Sequence, residues 1–329
     1  MTGAVPTAVP AEDLGTLHLR AVHDALRDDE LSPAELLERC LDRVELALRF
    51  GAFVHVDEDG ARRAVAQLDP NSRGPLYGVP CAVKDLVDVE GLPTGNGRRG
   101  GPVAREDAPV VRLLRQAGAI IVGKTRTDEL GLGTFTLGAR DPRDPMRTVG
   151  GSSGGSAIAV AVGAVALAVA TDTAGSARIP AAACGVAGLC ASVSGLPVGG
   201  TVQLSPDFDR IGLIATDGID LEFAWRQLHG GSPARMQPVG PIFTLAPEAL
   251  GHVDPDHLAA ATAVAHRLGH DVVELPGPRF AEFGPDRGIV VTADAAHRHS
   301  RADAESPLAK RQLEIVSSLT PPLLVFHLC

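Results

Sequence analysis

Aromatic residues are scarce in this chain of 329 residues, which has one Trp, one Tyr and nine Phe. Hydrophobic residues nevertheless make up 45% of the sequence. The composition therefore excludes a core built on large rings and predicts a substantial core made of Ala, Val, Leu and Ile. The 37 Gly and 25 Pro indicate many tight turns between short elements.

Positively charged residues are also fewer than negatively charged ones, with 30 Lys and Arg against 40 Asp and Glu and a formal net charge of -10. A chain with this balance repels the phosphates of nucleic acids, so no nucleic-acid partner is expected. The first residues, MTGAVPTAVPAED, lack the basic and apolar regions of a secretory signal.

No apolar run is long enough to span a membrane, and the longest, from Ala157 to Ala170, holds 14 residues. We expect it to form a buried helix that leads into a buried strand, without membrane association. The sequence contains no CxxC pair, and its five cysteines are Cys40, Cys81, Cys184, Cys190 and Cys329. An odd, scattered set predicts reduced thiols, mostly buried, in a cytoplasmic protein.

Near the N-terminus the pattern predicts a capped helix that follows another helix. Ser32 is a suitable N-cap, Pro33 fits the first helical position, and Glu35 completes a capping box. An apolar stripe at helical spacing follows, formed by Leu36, Leu37, Cys40, Leu41, Val44 and Leu48. We interpret this stripe as a packing face.

From Tyr77 onward, helical segments alternate with short runs of Val, Ile and Ala. Leu258 to Gly269 has a helical pattern, and His270 to Leu275 has the pattern of a strand. Such alternation predicts an α/β fold of three layers, with a mixed central sheet covered by helices on both faces. We expect a single domain over 1–329, with N-terminal helices in 11–60, a core in 74–217 and a further region in 218–329.

Three segments match well-known sequence motifs but lack the neighbouring secondary structure that those motifs require. Residues 118–125 fit a P-loop, but the intervening Ala, Ile, Ile and Val predict a buried strand. Residues 95–100 fit the dinucleotide fingerprint, but turn residues precede them in place of a strand. Residues 151–155 fit a GxSxG nucleophile elbow, but Pro142 and Pro145 disfavour a central strand before it. A Ser-His-Asp triad with a downstream histidine such as His229 or His252 stays an alternative.

Three other segments carry residues suited to nucleophilic chemistry. In Gly78-Val-Pro-Cys-Ala-Val-Lys84-Asp85, a lysine ends an apolar strand. Residues 150–157, GGSSGGSA, run directly into the long apolar stretch, which disfavours a flexible linker. Residues 171–180, TDTAGSARIP, place Ser176 on a tight turn after a strand, where backbone amides can hold a developing oxyanion.

Together these segments resemble the amidase signature family, whose pattern is GVPxxVKD, GGSSGGSA and TDxxGSxRxP in this order. The resemblance covers about residues 74–215 well. It implies a Ser-cisSer-Lys triad of Ser176 as nucleophile, Ser152 as the bridging serine and Lys84 as base, with a cis peptide bond between Gly151 and Ser152. It also implies supporting residues and an oxyanion hole made of backbone amides. The supporting residues are Ser153, which would hydrogen-bond the lysine, Asp172 and Arg178, and the amides are those of Thr173, Ala174, Gly175 and Ser176.

The chemistry of these residue types is consistent with the roles that the resemblance implies. A serine hydroxyl needs a base, and a lysine becomes one when burial lowers its pKa. Such a mechanism needs no cofactor and no metal, and the sequence has no HExxH motif. The implied function is cleavage of a linear carboxamide bond in a small amide or urea-type substrate.

Departures from the family pattern leave several functions open. The TDTAGS variant resembles allophanate hydrolases and their relatives, which favours small ureas. Family members are usually longer, so the portion after about Leu221 is expected to be compressed. Such a compressed region would leave the site open, or a second copy of the chain or a partner subunit would complete it. The alternatives are a protein like the A subunit of tRNA-dependent amidotransferases, which needs partner chains, and a non-catalytic scaffold.

Overall fold

A six-stranded mixed sheet organises the chain in this computed structural model, which describes residues 5–229, 242–245, 255–267, 272–275, 291, 294–295, 298–299 and 304–317. In chain order its strands are β1 Phe53–Val56, β2 Pro80–Lys84, β3 Ile120–Thr125, β4 Leu167–Thr171, β5 Ala187–Cys190 and β6 Ile211–Ala215. Their order across the sheet is β1-β3-β2-β4-β6-β5. The three central strands β3, β2 and β4 run parallel, and the pairs β1–β3, β4–β6 and β5–β6 are antiparallel.

The structure gives the bounds of nine α-helices within the described parts of the chain. They are α1 Leu19–Arg27, α2 Pro33–Arg49, α3 Glu58–Ala66, α4 Pro109–Gln116, α5 Gly154–Ala161, α6 Arg178–Cys184, α7 Gly218–Leu228, α8 Pro255–Arg267 and α9 Pro307–Ser317. A separate parallel pair joins β7 Ile242–Leu245 to β8 Val272–Leu275. Within the described residues, every helix is too short or too polar to cross a lipid bilayer.

Both faces of the central sheet are buried, and alternate strand residues belong to different cores. Val83 and Val169 contribute to the core that contains α1, α4 and α7, whereas Ala82 and Ala168 contribute to the core that contains α5 and α6. This period of two is what a strand buried on both faces requires. The three-layer α/β arrangement with a mixed sheet is therefore confirmed, and the cores consist mainly of Ala, Val, Leu and Ile, as predicted.

The long apolar run forms the helix and strand expected of it, as α5 followed by β4. Alanine residues dominate this part of the core, and the backbone approaches closely. A Cβ atom on Gly155 would lie 2.3 Å from the carbonyl oxygen of Ala52. The scarcity of aromatic residues in the sequence thus corresponds to close packing of α5 against the neighbouring backbone segment at Ala52.

Several local expectations are confirmed and one is wrong. Residues 118–125 contain β3 and not a phosphate-binding loop, and α8 and β8 lie where a helix and a strand were predicted. Gly269, His270 and Cys329 lie outside the described residues. Leu48 was predicted to belong to the packing face of α2 but is 47% exposed, because the buried residues Ala47 and Phe50 continue that face at the end of the helix in its place.

The predicted capping box begins α2. Ser32 Oγ accepts a hydrogen bond from the Glu35 amide, and the Glu35 carboxylate accepts one from the Ser32 amide. These contacts satisfy two backbone donors that the first helical turn would otherwise leave without partners.

Because α2 contacts both cores, we expect loss of its cap to lower the stability of the whole fold. Ser32→Ala should reduce the free energy of unfolding by about 1 kcal/mol. The measurement is the midpoint of urea unfolding, with Ser32→Thr as a matched control that keeps a capping hydroxyl. Equal midpoints for the Ala and Thr variants would contradict the prediction.

Candidate active site

Lys84 ends β2, and its side chain is fully buried. Its Nζ donates hydrogen bonds to Ser152 Oγ at 2.7 Å and to Thr171 Oγ1 at 2.8 Å. Thr171 ends β4, the parallel neighbour of β2, so both residues lie at the carboxyl ends of adjacent strands. The carboxyl ends of these two central strands therefore bring an amine and two hydroxyl groups together in the protein interior.

Burial lowers the pKa of Lys84 to about 7, because a charged ammonium group loses its hydration in this position. The carboxylates of Asp172, Asp128 and Asp209 favour the charged form, but they do not offset the loss of hydration. Much of Lys84 is consequently a neutral amine at neutral pH, which is the form that can accept a proton.

The glycine- and serine-rich loop places Ser152 beside the lysine. The peptide bond between Gly151 and Ser152 is cis, as the family resemblance implied. The Ser152 carbonyl accepts hydrogen bonds from the Asp128 amide at 3.1 Å and from Thr136 Oγ1 at 3.2 Å. These two contacts fix the backbone of Ser152.

Ser153 has a different partner from the one expected. The hydroxyl group of Ser153 donates to the backbone carbonyl of Thr171 at 3.3 Å and makes no described bond to Lys84. Thr171 Oγ1 occupies the second acceptor position on the lysine instead. The reason is geometric, since Thr171 ends the strand next to β2, whereas Ser153 lies at the start of α5.

Asp172 orders the loop that carries Ser176. Its carboxylate accepts hydrogen bonds from the amides of Gly175, Ala177 and Arg178, and from the Arg178 guanidinium. Burial alone would raise the pKa of Asp172, but the bonds from Arg178 and the loop amides outweigh it and leave this pKa below its ordinary value. Asp172 is thus held as a carboxylate at the centre of the loop.

The same contacts narrow the predicted set of oxyanion donors. The Gly175 amide already donates to Asp172 at 2.7 Å, so it is occupied, contrary to expectation. Within the described residues, the amides of Thr173, Ala174 and Ser176 have no hydrogen-bond acceptor. Ala174 fits without a positive φ angle, whereas Gly175 adopts φ 115°, a region that favours glycine.

Ser176 is partly exposed on this loop. Its carbonyl accepts a hydrogen bond from the Ser153 amide at 3.1 Å, which links the two serine-bearing loops. Its hydroxyl group has no hydrogen-bond partner among the residues described. The loops therefore bring Ser152 and Ser176 to the same end of the sheet and leave the hydroxyl group of Ser176 available.

Two buried carboxyl groups near Lys84 were not predicted from the sequence. Burial raises the pKa of Asp128 to about 6, and its Oδ2 accepts a hydrogen bond from the Gly133 amide at 2.7 Å. Asp209 accepts hydrogen bonds from Thr173 Oγ1 and from the amides of Leu204 and Ser205. No motif marks either residue, whereas the position of Thr171 at a strand end could have indicated its contact.

A cavity lies beside Ser152. Hydroxyl-bearing residues contribute to its lining, namely Ser152, Thr171 and Thr173, together with apolar residues such as Leu86 and Leu130. The site thus combines an amine of lowered pKa, hydroxyl groups, unpaired amides and an adjacent space. This set can carry out acyl transfer by a serine nucleophile.

Comparisons with known proteins agree in pointing to one family. The family model described as Amidase matches residues 35–321. An amidase of Pseudomonas putida is 36% identical over 89% of this chain and 69% of that protein. A solved structure described as a crystal structure of amidase superposes with a TM-score of 0.86 at 30% identity, over 95% of this chain and 76% of the other.

A second relative belongs to an enzyme of several chains. The A subunit of the glutamyl-tRNA(Gln) amidotransferase of Anaeromyxobacter sp. (strain K) is 37% identical over 70% of this chain. The matched region is 49% of that relative, so the chain spans about half of its length.

The stability of the loop that carries Ser176 should depend more on the hydrogen bonds between the Asp172 carboxylate and the backbone amides than on the salt bridge between Asp172 and Arg178. Asp172→Asn should lower the free energy of unfolding by at least about 2 kcal/mol, because the buried oxygens hold backbone amides as well as Arg178. Arg178→Gln should cost less than about 1 kcal/mol, since the Arg178 side chain is 54% exposed. Urea unfolding of both variants tests this order, and a larger loss for Arg178→Gln would contradict it.

Proposed function

The chain belongs to the amidase signature family, and from that premise we propose that it hydrolyses a carboxamide C–N bond through a serine acyl-enzyme. The observation that carries this proposal is the buried Lys84 amine, 2.7 Å from Ser152 Oγ. Its lowered pKa makes it a base at neutral pH.

In the proposed mechanism Ser176 is the nucleophile, Ser152 relays the proton, and Lys84 is the base. A neutral amine has two N–H groups and one lone pair, so Lys84 can donate to Thr171 while it accepts the Ser152 proton. Ser152 in turn takes the proton of Ser176 as Ser176 Oγ bonds to the substrate carbonyl carbon. The proton then returns through Ser152 to the leaving nitrogen as the C–N bond breaks.

Water completes the reaction in a second half. It loses a proton through Ser152 to Lys84 and bonds to the acyl carbon, and the ester bond to Ser176 breaks as the hydroxyl group regains its proton. The amides of Thr173, Ala174 and Ser176 are the donors that we propose for the oxyanion, because each lacks another acceptor among the described residues. Asp172 and Arg178 hold the loop that carries these amides, and Ser153 connects the two loops.

We propose a small linear amide or urea-type molecule as the substrate class. The similarity to the P. putida amidase supports hydrolysis by the chain itself. The similarity to the Anaeromyxobacter amidotransferase chain supports a second candidate function, ammonia release within an assembly of several chains. Activity of the isolated chain on simple amides favours the first candidate, and activity only with added partner chains favours the second.

Ser176→Ala should abolish covalent labelling by a fluorophosphonate probe, and Lys84→Ala should slow it by about 10³-fold or more. The measurement is the intact mass of the parent chain and of each variant after incubation with the probe. Ser194→Ala, which removes an exposed hydroxyl group on another loop, serves as the control and should label like the parent.

A single adduct on Ser176 that depends on Lys84 would support the triad. Labelling of Ser176→Ala at the parental rate would refute Ser176 as the nucleophile. Absence of labelling in the folded parent chain would argue for a site that needs a partner chain, and its absence with added partner chains as well would argue for the scaffold alternative.

The rate of labelling should rise with pH below about 7 and level off above it. Burial lowers the pKa of Lys84 to about 7, and only the neutral amine accepts a proton, so the competent fraction grows about tenfold per pH unit on the acid side. Stopped labelling reactions from pH 5 to pH 9 measure this profile, with Lys84→Ala as the comparison. A flat profile in the parent would count against lysine as the base.

A further inference from the structure

Three potential metal ligands converge where α1 and α7 begin. His18 directly precedes α1, Asp217 is the N-cap of α7, and Asp220 lies in its first turn. One ligand atom from each of the three lies within 4.8 Å of the others. Thr171 pairs with Ile211 at one end of the sheet and Leu167 pairs with Ala215 at the other, so Asp217 follows the end remote from Lys84.

Backbone hydrogen bonds hold this cluster in place. Thr216 Oγ1 donates to the Leu17 carbonyl at 3.1 Å, and the Arg20 amide donates to Asp220 Oδ1 at 3.0 Å. The Asp220 amide donates to Asp217 Oδ1 at 2.9 Å. Each carboxylate therefore uses its Oδ1 atom for the backbone and has its Oδ2 atom near His18.

The Oδ2 atom of Asp220 has no hydrogen-bond partner in the described part of the chain, although the side chain is only 2% exposed. His18 Nδ1 lies 3.3 Å from it and completes no hydrogen bond. A buried carboxylate oxygen without a hydrogen-bond donor is unfavourable, because it has lost its hydrogen bonds to water. A cation between Asp220 and His18 would restore the missing interaction.

The distances fit a metal ion that bridges the three groups. His18 Nδ1 lies 3.3 Å from Asp217 Oδ2 and 3.3 Å from Asp220 Oδ2. Tetrahedral metal–ligand bonds of about 2.0 to 2.2 Å place neighbouring ligand atoms about 3.3 to 3.6 Å apart. Side-chain exposure of 45% for His18 and 41% for Asp217 gives solvent access and room for a water ligand.

We propose that His18, Asp217 and Asp220 bind a divalent transition-metal ion such as Zn²⁺. One imidazole nitrogen and two carboxylate oxygens suit Zn²⁺, whereas Mg²⁺ and Ca²⁺ prefer oxygen ligands alone. Two helix N-termini face the cluster, and their partial positive charges oppose a bound cation. Two carboxylates offset one divalent ion, and the bound ion would tie α1 to α7.

The test is calorimetric titration of the metal-free full chain with Zn²⁺ at pH 7.5, together with thermal unfolding in the presence and absence of the ion. The parent should bind one equivalent at this site and unfold at a higher temperature with Zn²⁺. His18→Gln should lose at least tenfold in affinity for this equivalent. His23→Gln is the matched control, because it removes a histidine of the same helix that contacts Phe223 and neither carboxylate.

Asp217→Asn gives a second, independent variant, since the amide oxygen retains the helix cap while the negative charge is lost. It should also lower the affinity at least tenfold. Saturable binding that both variants weaken and His23→Gln preserves would support the site. Absence of saturable binding, or equal affinity in the parent and His18→Gln, would overturn the proposal and leave His18 as an ion-pair partner of the two aspartates.

Discussion

The burial of Lys84 at the carboxyl end of β2 is the constraint on which the rest of the proposed site depends. An ammonium group in this position would lack hydration, so burial lowers its pKa to about 7. The hydroxyl groups of Ser152 and Thr171 supply the only described hydrogen bonds of its amine. The two serine-bearing loops must therefore fold against this strand end, and the carboxylates of Asp172, Asp128 and Asp209 bind the backbone of these loops and their neighbours.

Much of the fold could be predicted from the sequence, because periodicity and composition act locally. The capping box at Ser32 and the run that became α5 and β4 depend on neighbouring residues alone. Leu48 was misplaced because Leu48 and Ala47 both continue the stripe at helical spacing from Val44, and only Ala47 is buried. The order of the strands depends on contacts between distant segments, for which this sequence has no repeat or local marker.

The motifs of the candidate site predicted Lys84, Ser152 and Ser176 as its members, but they did not predict every hydrogen bond. Ser153 was expected to contact the lysine, and Thr171 does so instead, since adjacent parallel strands end beside each other. The occupied amide of Gly175 could not be predicted either, because it follows from how the Asp172 carboxylate turns into the loop. The cluster of His18 with Asp217 had no signal at all, since about 200 residues separate its members.

The ion pair of Asp85 with a second buried lysine, Lys124, explains why Lys84 can serve as the proposed base. Asp85 directly follows Lys84, and successive side chains of an extended segment point to opposite sides. Asp85 therefore pairs with Lys124 of β3, at 3.1 Å, and not with its neighbour. Burial also lowers the pKa of Lys124, but Asp85 acts against that shift. Since no described carboxylate lies within ion-pair distance of Lys84, its amine keeps the lowered pKa that proton transfer requires.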